Sequence, residues 1–270
     1  MLKTFLKGLW VGSTLSVPGV SGGTMAMLIG IYEPLVRSIN ILISKNEKKK
    51  DAFAFLLIFS IGGILGFLAI SSLILNLIQI APMPMAFLFC GVIAGGVPKI
   101  FGEIKKERLV WSDILYFCLG LLIVLFISYL PKDLFQPIPT LNLWSIIKQM
   151  IGGILVAFAL VLPGISVSHM LYVLGIYESV LAAISTFDIL RLLPMVCGVS
   201  LGILLFARLM NICFTRFRKM IYSLIFGFII GSVLELFSQG VNGAISFVCI
   251  PMFIIGYCLM YLITKKQADA

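Results

Sequence analysis

The stretch VPGVSGGTMAMLIGIYE, Val17 to Glu33, sets Pro-Gly and Ser-Gly-Gly-Thr breakers inside strongly apolar sequence. LPGISVSHMLYVLGIYE, Leu162 to Glu178, does the same again. A shift of 145 positions superimposes the two, with 9 identities in 22 between residues 18–39 and 163–184. Past the charged SKNEKKKD loop, which the second copy lacks, the register becomes 136. Gly62 and Gly66 then meet Gly198 and Gly202, Gly91 and Gly95 meet Gly227 and Gly231, and Gly120 meets Gly256. Order is preserved throughout, so the chain reads as an internal duplication, repeat 1 at 3–131 and repeat 2 at 148–266.

Of the 270 residues, 61% are hydrophobic and 11% charged, against about 25% charged in a soluble domain. Ala52 to Ile78 carries no charge at all, and a span needs roughly 20 such residues. Each repeat has its broken element followed by three apolar segments: 52–78, 83–98 and 112–130, then 192–208, 220–236 and 246–264. The arms 5–17 and 150–162 have about 13 residues each. At ~1.5 Å per residue they fall short of ~30 Å of hydrocarbon. The Pro-Gly turns (Pro18-Gly19, Pro163-Gly164) therefore send the chain back, as hairpins 5–43 and 148–184. The expected fold is an all-α polytopic membrane protein, one integral domain over 1–270. It has two inverted-topology repeats, each a re-entrant helical hairpin plus three transmembrane helices.

Charge agrees with that topology. It puts 16 of the 20 Lys and Arg on one side and Lys132, Lys148 and Arg191 on the other, with Arg37 inside the first hairpin. The positive-inside rule then makes both termini cytoplasmic. The net charge of +9 belongs to loops beside spans and to anionic headgroups, not to nucleic acid. The N-terminal MLKTFLKGLWVGSTLSV resembles a signal peptide, but the same element recurs deep in the chain, so cleavage is not expected. The six cysteines read as small core residues, and a single histidine leaves no multi-His metal site. No cofactor or metal is expected.

Irregular backbone survives at membrane depth only where protein or water surrounds it. Ser21, Gly22, Gly23 and Thr24 open a returning helix whose free N–H groups and positive dipole end face such a cavity. Ser166, Ser168 and His169 occupy the matching tip. Two helix N-termini converging from opposed repeats suit an anion. The simpler reading makes the breakers mere kinks and the glycines helix contacts; the duplication with inversion favours a site.

These paired motifs resemble the PopT family of polyprenyl-phosphate translocases over essentially the full chain. The matching positions are Pro18, Gly19, Ser21, Gly22, Gly23, Thr24, Gly30, Tyr32 and Glu33 in the first motif. In the second they are Pro163, Gly164, Ser166, Gly175, Tyr177 and Glu178. Val167 and His169 stand where the pattern has Gly and an apolar aromatic. The resemblance implies a flippase that returns undecaprenyl phosphate from the outer to the inner leaflet of the bacterial plasma membrane for cell-wall synthesis. Its phosphate would rest on the Ser21–Thr24 and Ser166–Ser168 donors.

Moving an anion inward opposes an inside-negative potential by about 2.3 kcal/mol per charge per 100 mV. Coupling to H+ or Na+ is therefore attractive. Glu33 and Glu178, acids at equivalent positions, are the candidates. Glu33 has Arg37 at i,i+4 as a structural partner, while Glu178 has Ala182 there. Arg37 is a further candidate for the phosphate, and His169 for phosphate donation or proton transfer. Asp113 and Glu235 are expected at the interface. Two rival functions are a transporter or channel for a small soluble anion and an intramembrane serine hydrolase, the latter from Gly19-Val20-Ser21-Gly22-Gly23 with His169. The hydrolase lacks the strand–turn–helix setting of a nucleophile elbow. A purely structural scaffold, moving neither lipid nor anion, is the remaining reading.

Overall fold

The computed structural model describes residues 1–15, 17, 20–44, 48–106, 108–130, 143–177, 180, 183, 189–238 and 246–268. Among these the chain is helical, with no strand. The helices are α1 (Leu2–Thr14), α2 (Gly22–Leu28), α3 (Tyr32–Ile43), α4 (Lys49–Ile80), α5 (Pro82–Lys105), α6 (Trp111–Ser128), α7 (Leu143–Val161), α8 (Val167–Val173), α9 (Ile189–Arg216), α10 (Arg218–Ser238) and α11 (Cys249–Ala268). Six of them, α4, α5, α6, α9, α10 and α11, are long and apolar enough to cross a membrane. They match the six apolar segments of the sequence and run several residues beyond most of their ends.

Helix boundaries follow local chemistry. Pro82 has no N–H to give α4, so α4 stops at Ile80 and Pro82 opens α5 at its first position. Ser21 and Ser166 are the N-caps of α2 and α8, with φ −82° in both and ψ 132° and 126°. Each short helix then ends on a left-handed glycine, Gly30 at φ 65° and Gly175 at φ 67°. The Ile31 amide donates to Ala26 O at 2.9 Å and the Ile176 amide to Leu171 O at 3.1 Å. These are the six-to-one bonds of a Schellman cap, which asks for glycine at that place. The repeated Gly-Ile of the sequence is thus a helix stop. Beyond it α3 leaves α2 at 109°, so the segment after the first Pro-Gly turn is two helices and not the single returning helix expected.

The two inner helices are α5 and α10, 56% and 61% buried over their apolar stretches, against 11–22% in α4, α6, α9 and α11. The outer four present Leu68, Leu122, Leu205 and Leu262 outward, an apolar exterior that water does not tolerate and lipid does. Helices meet backbone to backbone at glycines, as expected where no hydrophobic force separates helix from lipid. A Cβ on Gly8 would lie 2.3 Å from Phe59 O, and one on Gly153 2.3 Å from Met195 O. These contacts join α1 to α4 and α7 to α9, within each half. A Cβ on Gly91 would lie 2.1 Å from Phe253 O, and one on Gly227 2.1 Å from Phe117 O. These join α5 to α11 and α10 to α6, across the halves. Gly153–Met195 is Gly8–Phe59 shifted by 145 and 136, and Gly227–Phe117 is Gly91–Phe253 with 136 added to one residue and taken from the other. Each half lends its second long helix to the third long helix of the other.

Candidate functional site

The two broken elements touch. A Cβ on Gly23 would fall 3.1 Å from Pro163 Cα, so the first turn of α2 lies directly on the turn that precedes α8. Tyr32, buried at the start of α3, donates its hydroxyl to Val161 O at the end of α7. Gly164 seats the second turn against α10: its φ is +91°, and a Cβ there would sit 2.5 Å from Phe228 Cβ. Pro18, Gly19 and Glu178 lie outside the described residues, as does the Ser168 side chain.

Hydroxyl groups are shut into this junction. Ser21 is 4% exposed and makes no side-chain capping bond. Thr24 is fully buried, and its Oγ1 has no hydrogen-bond partner. A buried hydroxyl left unpaired costs about 1–3 kcal/mol. Ser166 accepts the His169 amide at 3.4 Å. The His169 ring leaves the junction: Nδ1 is 3.2 Å from Glu235 Oε1, and Nε2 is 3.3 Å from Ile127 O. Each ring nitrogen faces an oxygen acceptor, so only the doubly protonated ring donates to both. Neither nitrogen is turned to Ser21, as the hydrolase reading requires.

A cavity of about 700 Å³ opens beside α2. Lys3 and Lys7 from the start of α1 line it, and so do Met27 and Gly30 from the end of α2. The chain therefore comes back beside its own start. Lys99, Arg218 and Lys266 complete a ring of five cations. Lys99 donates to Leu28 O at 3.2 Å, a cation on the negative end of α2. Arg218 holds two carboxylates. Its Nη1 and Nη2 donate to Glu33 at 3.1 and 2.9 Å, and its Nε donates to Glu103 at 3.0 Å. The Tyr222 hydroxyl also donates to Glu33.

Glu33 and Arg218 also border a second cavity of about 800 Å³, which Arg37, Asn40 and Asn211 line. The Glu33–Arg218 pair is thus a partition between two polar spaces. The expected Glu33–Arg37 pair does not form. The 109° bend turns the first turn of α3 onto the start of α10, and Arg37 is exposed on the far cavity. Asp113 and Glu235, expected at the interface, are 6% and 3% exposed. Asp113 accepts from Lys219 Nζ at 2.7 Å and from the Val110 amide at 2.8 Å. Both acids sit near helix ends but on inward faces, which depth alone does not reveal.

Sequence reasoning missed the cluster of Lys99, Glu103, Arg218 and Tyr222. One signal was available. At the offset of 136, Lys99 corresponds to Glu235, an unlike pair of charges at equivalent points of two apolar helices.

Fold and junction define a class: a polytopic helical membrane protein whose two interrupted elements abut in its interior beside a cation-lined cavity. The chain belongs to the undecaprenyl phosphate translocase-like (VCA0040-like) family, which matches residues 11–246. A polyprenyl-phosphate transporter of Vibrio cholerae serotype O1 is 31% identical over 243 residues, 86% of this chain and 76% of the relative. A polyprenyl-phosphate transporter of Staphylococcus aureus is 32% identical over 277 residues, 98% and 96% of the two. No solved structure matches the chain.

Proposed function

We propose that this protein carries a polyprenyl phosphate, undecaprenyl phosphate or a close relative, across the bacterial plasma membrane. Its phosphate crosses at the junction of the two tips while the hydrocarbon tail stays in lipid. The observation that carries this reading is the Gly23–Pro163 contact together with the buried, unpartnered Thr24 hydroxyl. A donor held without a partner at the meeting point of two helix starts is suited to an anion that visits and leaves. The names of the two relatives supply the lipid.

In this reading the elements 5–43 and 148–184 are re-entrant hairpins of inverted repeats, and both termini face the cytoplasm. The return of the chain to the cation-lined cavity supports the first hairpin. Transport runs from the outer to the inner leaflet. Work against the potential is met by an entering cation, H+ or Na+. Glu33 is committed to Arg218 and Tyr222, which leaves Glu178 the better carrier of that cation. Ser21, Ser166 and Ser168 line the path with Thr24, and Arg37 meets phosphate at the second cavity.

The test is leaflet accessibility of labelled undecaprenyl phosphate in sealed vesicles holding the full chain. Thr24→Val and Gly23→Leu are expected to lower transfer at least tenfold while yield and monodispersity hold. Native-like transfer by both removes the phosphate from the tips. Uptake of inorganic phosphate with no lipid transfer favours the soluble-anion transporter instead.

A further inference from the structure

We propose that the Arg218 guanidinium is a second phosphomonoester site, at the cavity, which the Glu33 and Glu103 carboxylates fill in the present conformation as internal stand-ins for phosphate oxygens. This rests on the transport reading above and gives the headgroup a place to be received after the tips. Three observations meet at Arg218. Its fork engages Glu33 through both terminal nitrogens and Glu103 through Nε, so all three nitrogens donate to anionic oxygens, as they would to a phosphate, while Tyr222 lies against the guanidinium. The surrounding wall is cationic beyond what the two acids neutralise. Among the described residues neither Lys3, Lys7 nor Lys266 has an acid within salt-bridge distance. Finally, the Arg218 and Glu33 side chains are 44% and 34% exposed and both line that cavity, so an arriving anion reaches the pair without unfolding anything.

The consequence is a competition. A phosphomonoester carries about −1.5 to −2 charges at neutral pH, against one on Glu33, and displaces it from the fork. Glu33 lies in the first turn of α3 beside the 109° bend, and its release frees the partition between the two cavities. Binding at one side therefore opens the way to the other. A carboxylate that occupies its own ligand's site weakens that ligand, and removing its charge strengthens it.

The experiment uses the full chain in lipid nanodiscs and titrates farnesyl phosphate, inorganic phosphate and farnesol by calorimetry. Glu33→Gln is expected to bind farnesyl phosphate about tenfold tighter than the native protein, and Arg218→Lys about tenfold weaker, since charge-assisted bonds of this kind are lost or gained. Glu103→Gln moves in the same direction as Glu33→Gln and covers the case in which Arg218→Lys fails to fold. Farnesol shows no such order. If inorganic phosphate follows the same order, the site takes the phosphate group from either source; if only farnesyl phosphate does, the lipid is the source. Equal binding by the native protein, Glu33→Gln and Glu103→Gln overturns the proposal. Leaflet transfer by the native protein in the same preparations decides the transport reading separately.

Discussion

At the scale of single residues, His169 and Glu235 form the pair whose energetics are easiest to isolate. Glu235 is 3% exposed and His169 11% by side chain, so the pair is shut away from water. Removing the ring takes a charge-assisted partner from a buried carboxylate, which costs about 3 kcal/mol or more. Removing the carboxylate leaves a ring that can still bond Ile127 O as the neutral form. His169→Leu should therefore destabilise strongly and Glu235→Leu by about 1 kcal/mol. The double variant should return to within about 1 kcal/mol of native, as isosteric apolar replacement of buried pairs often does. Thermal unfolding in detergent reads all three, and additive losses exclude the pairing. The histidine itself was visible in the sequence as the odd residue of the second motif. Its partner was not, because Glu235 lies 66 positions away on a helix whose hydropathy reports depth and says nothing of which face points inward. The same holds for Glu33: the i,i+4 rule favoured Arg37, and a partner 185 positions away won.

At the scale of elements, the offset between repeats makes a sharp statement about packing. Gly91 and Gly227 meet backbone carbonyls of α11 and α6 at the same hypothetical distance, 2.1 Å, which no side chain can share. Gly91→Val and Gly227→Val should each cost more than about 2 kcal/mol by forcing helices apart, and by similar amounts. Gly102, on the same helix as Gly91, has nothing within 4 Å of such a Cβ, and Gly102→Ala should stabilise by roughly 0.5–1 kcal/mol. Melting temperatures of the three variants check the set; a mild effect at Gly91 and a severe one at Gly227 would break the equivalence. The glycine register was legible beforehand in the five pairs that recur at the offset of 136. What it did not disclose was the pairing across halves. Periodic glycines mark a helix as one that is closely approached without naming the partner. The 109° bend was also hidden, because a single left-handed glycine makes it within an otherwise continuous apolar run.

For the molecule as a whole, the exchange of helices between halves decides what can fold alone. Since α5 rests on α11 and α10 on α6, neither repeat carries a complete set of contacts for its own inner helix. A chain cut between residues 138 and 139 should give two fragments that aggregate when expressed singly and co-purify as one monodisperse complex when expressed together. A folded single half would mean the cross-half contacts are dispensable. The six long apolar helices were plain from composition, but their interlocking arises from surfaces that a one-dimensional pattern does not encode.

The two ends of this doubled scaffold are not chemically alike. Where the first half and its neighbours supply Lys3, Lys7, Lys99 and Lys266, the corresponding positions hold Lys148, Gly152, Glu235 and Leu130. Among the described residues, a bulky, water-bound polyanion therefore has a docking mouth at the cavity that Lys3, Lys7, Lys99 and Lys266 line. Added outside sealed vesicles, such a blocker should silence the copies that present that mouth to it and spare the oppositely seated ones; equal inhibition of every copy would exclude a one-sided mouth. Orientation in a reconstituted sample can then be read from inhibition alone.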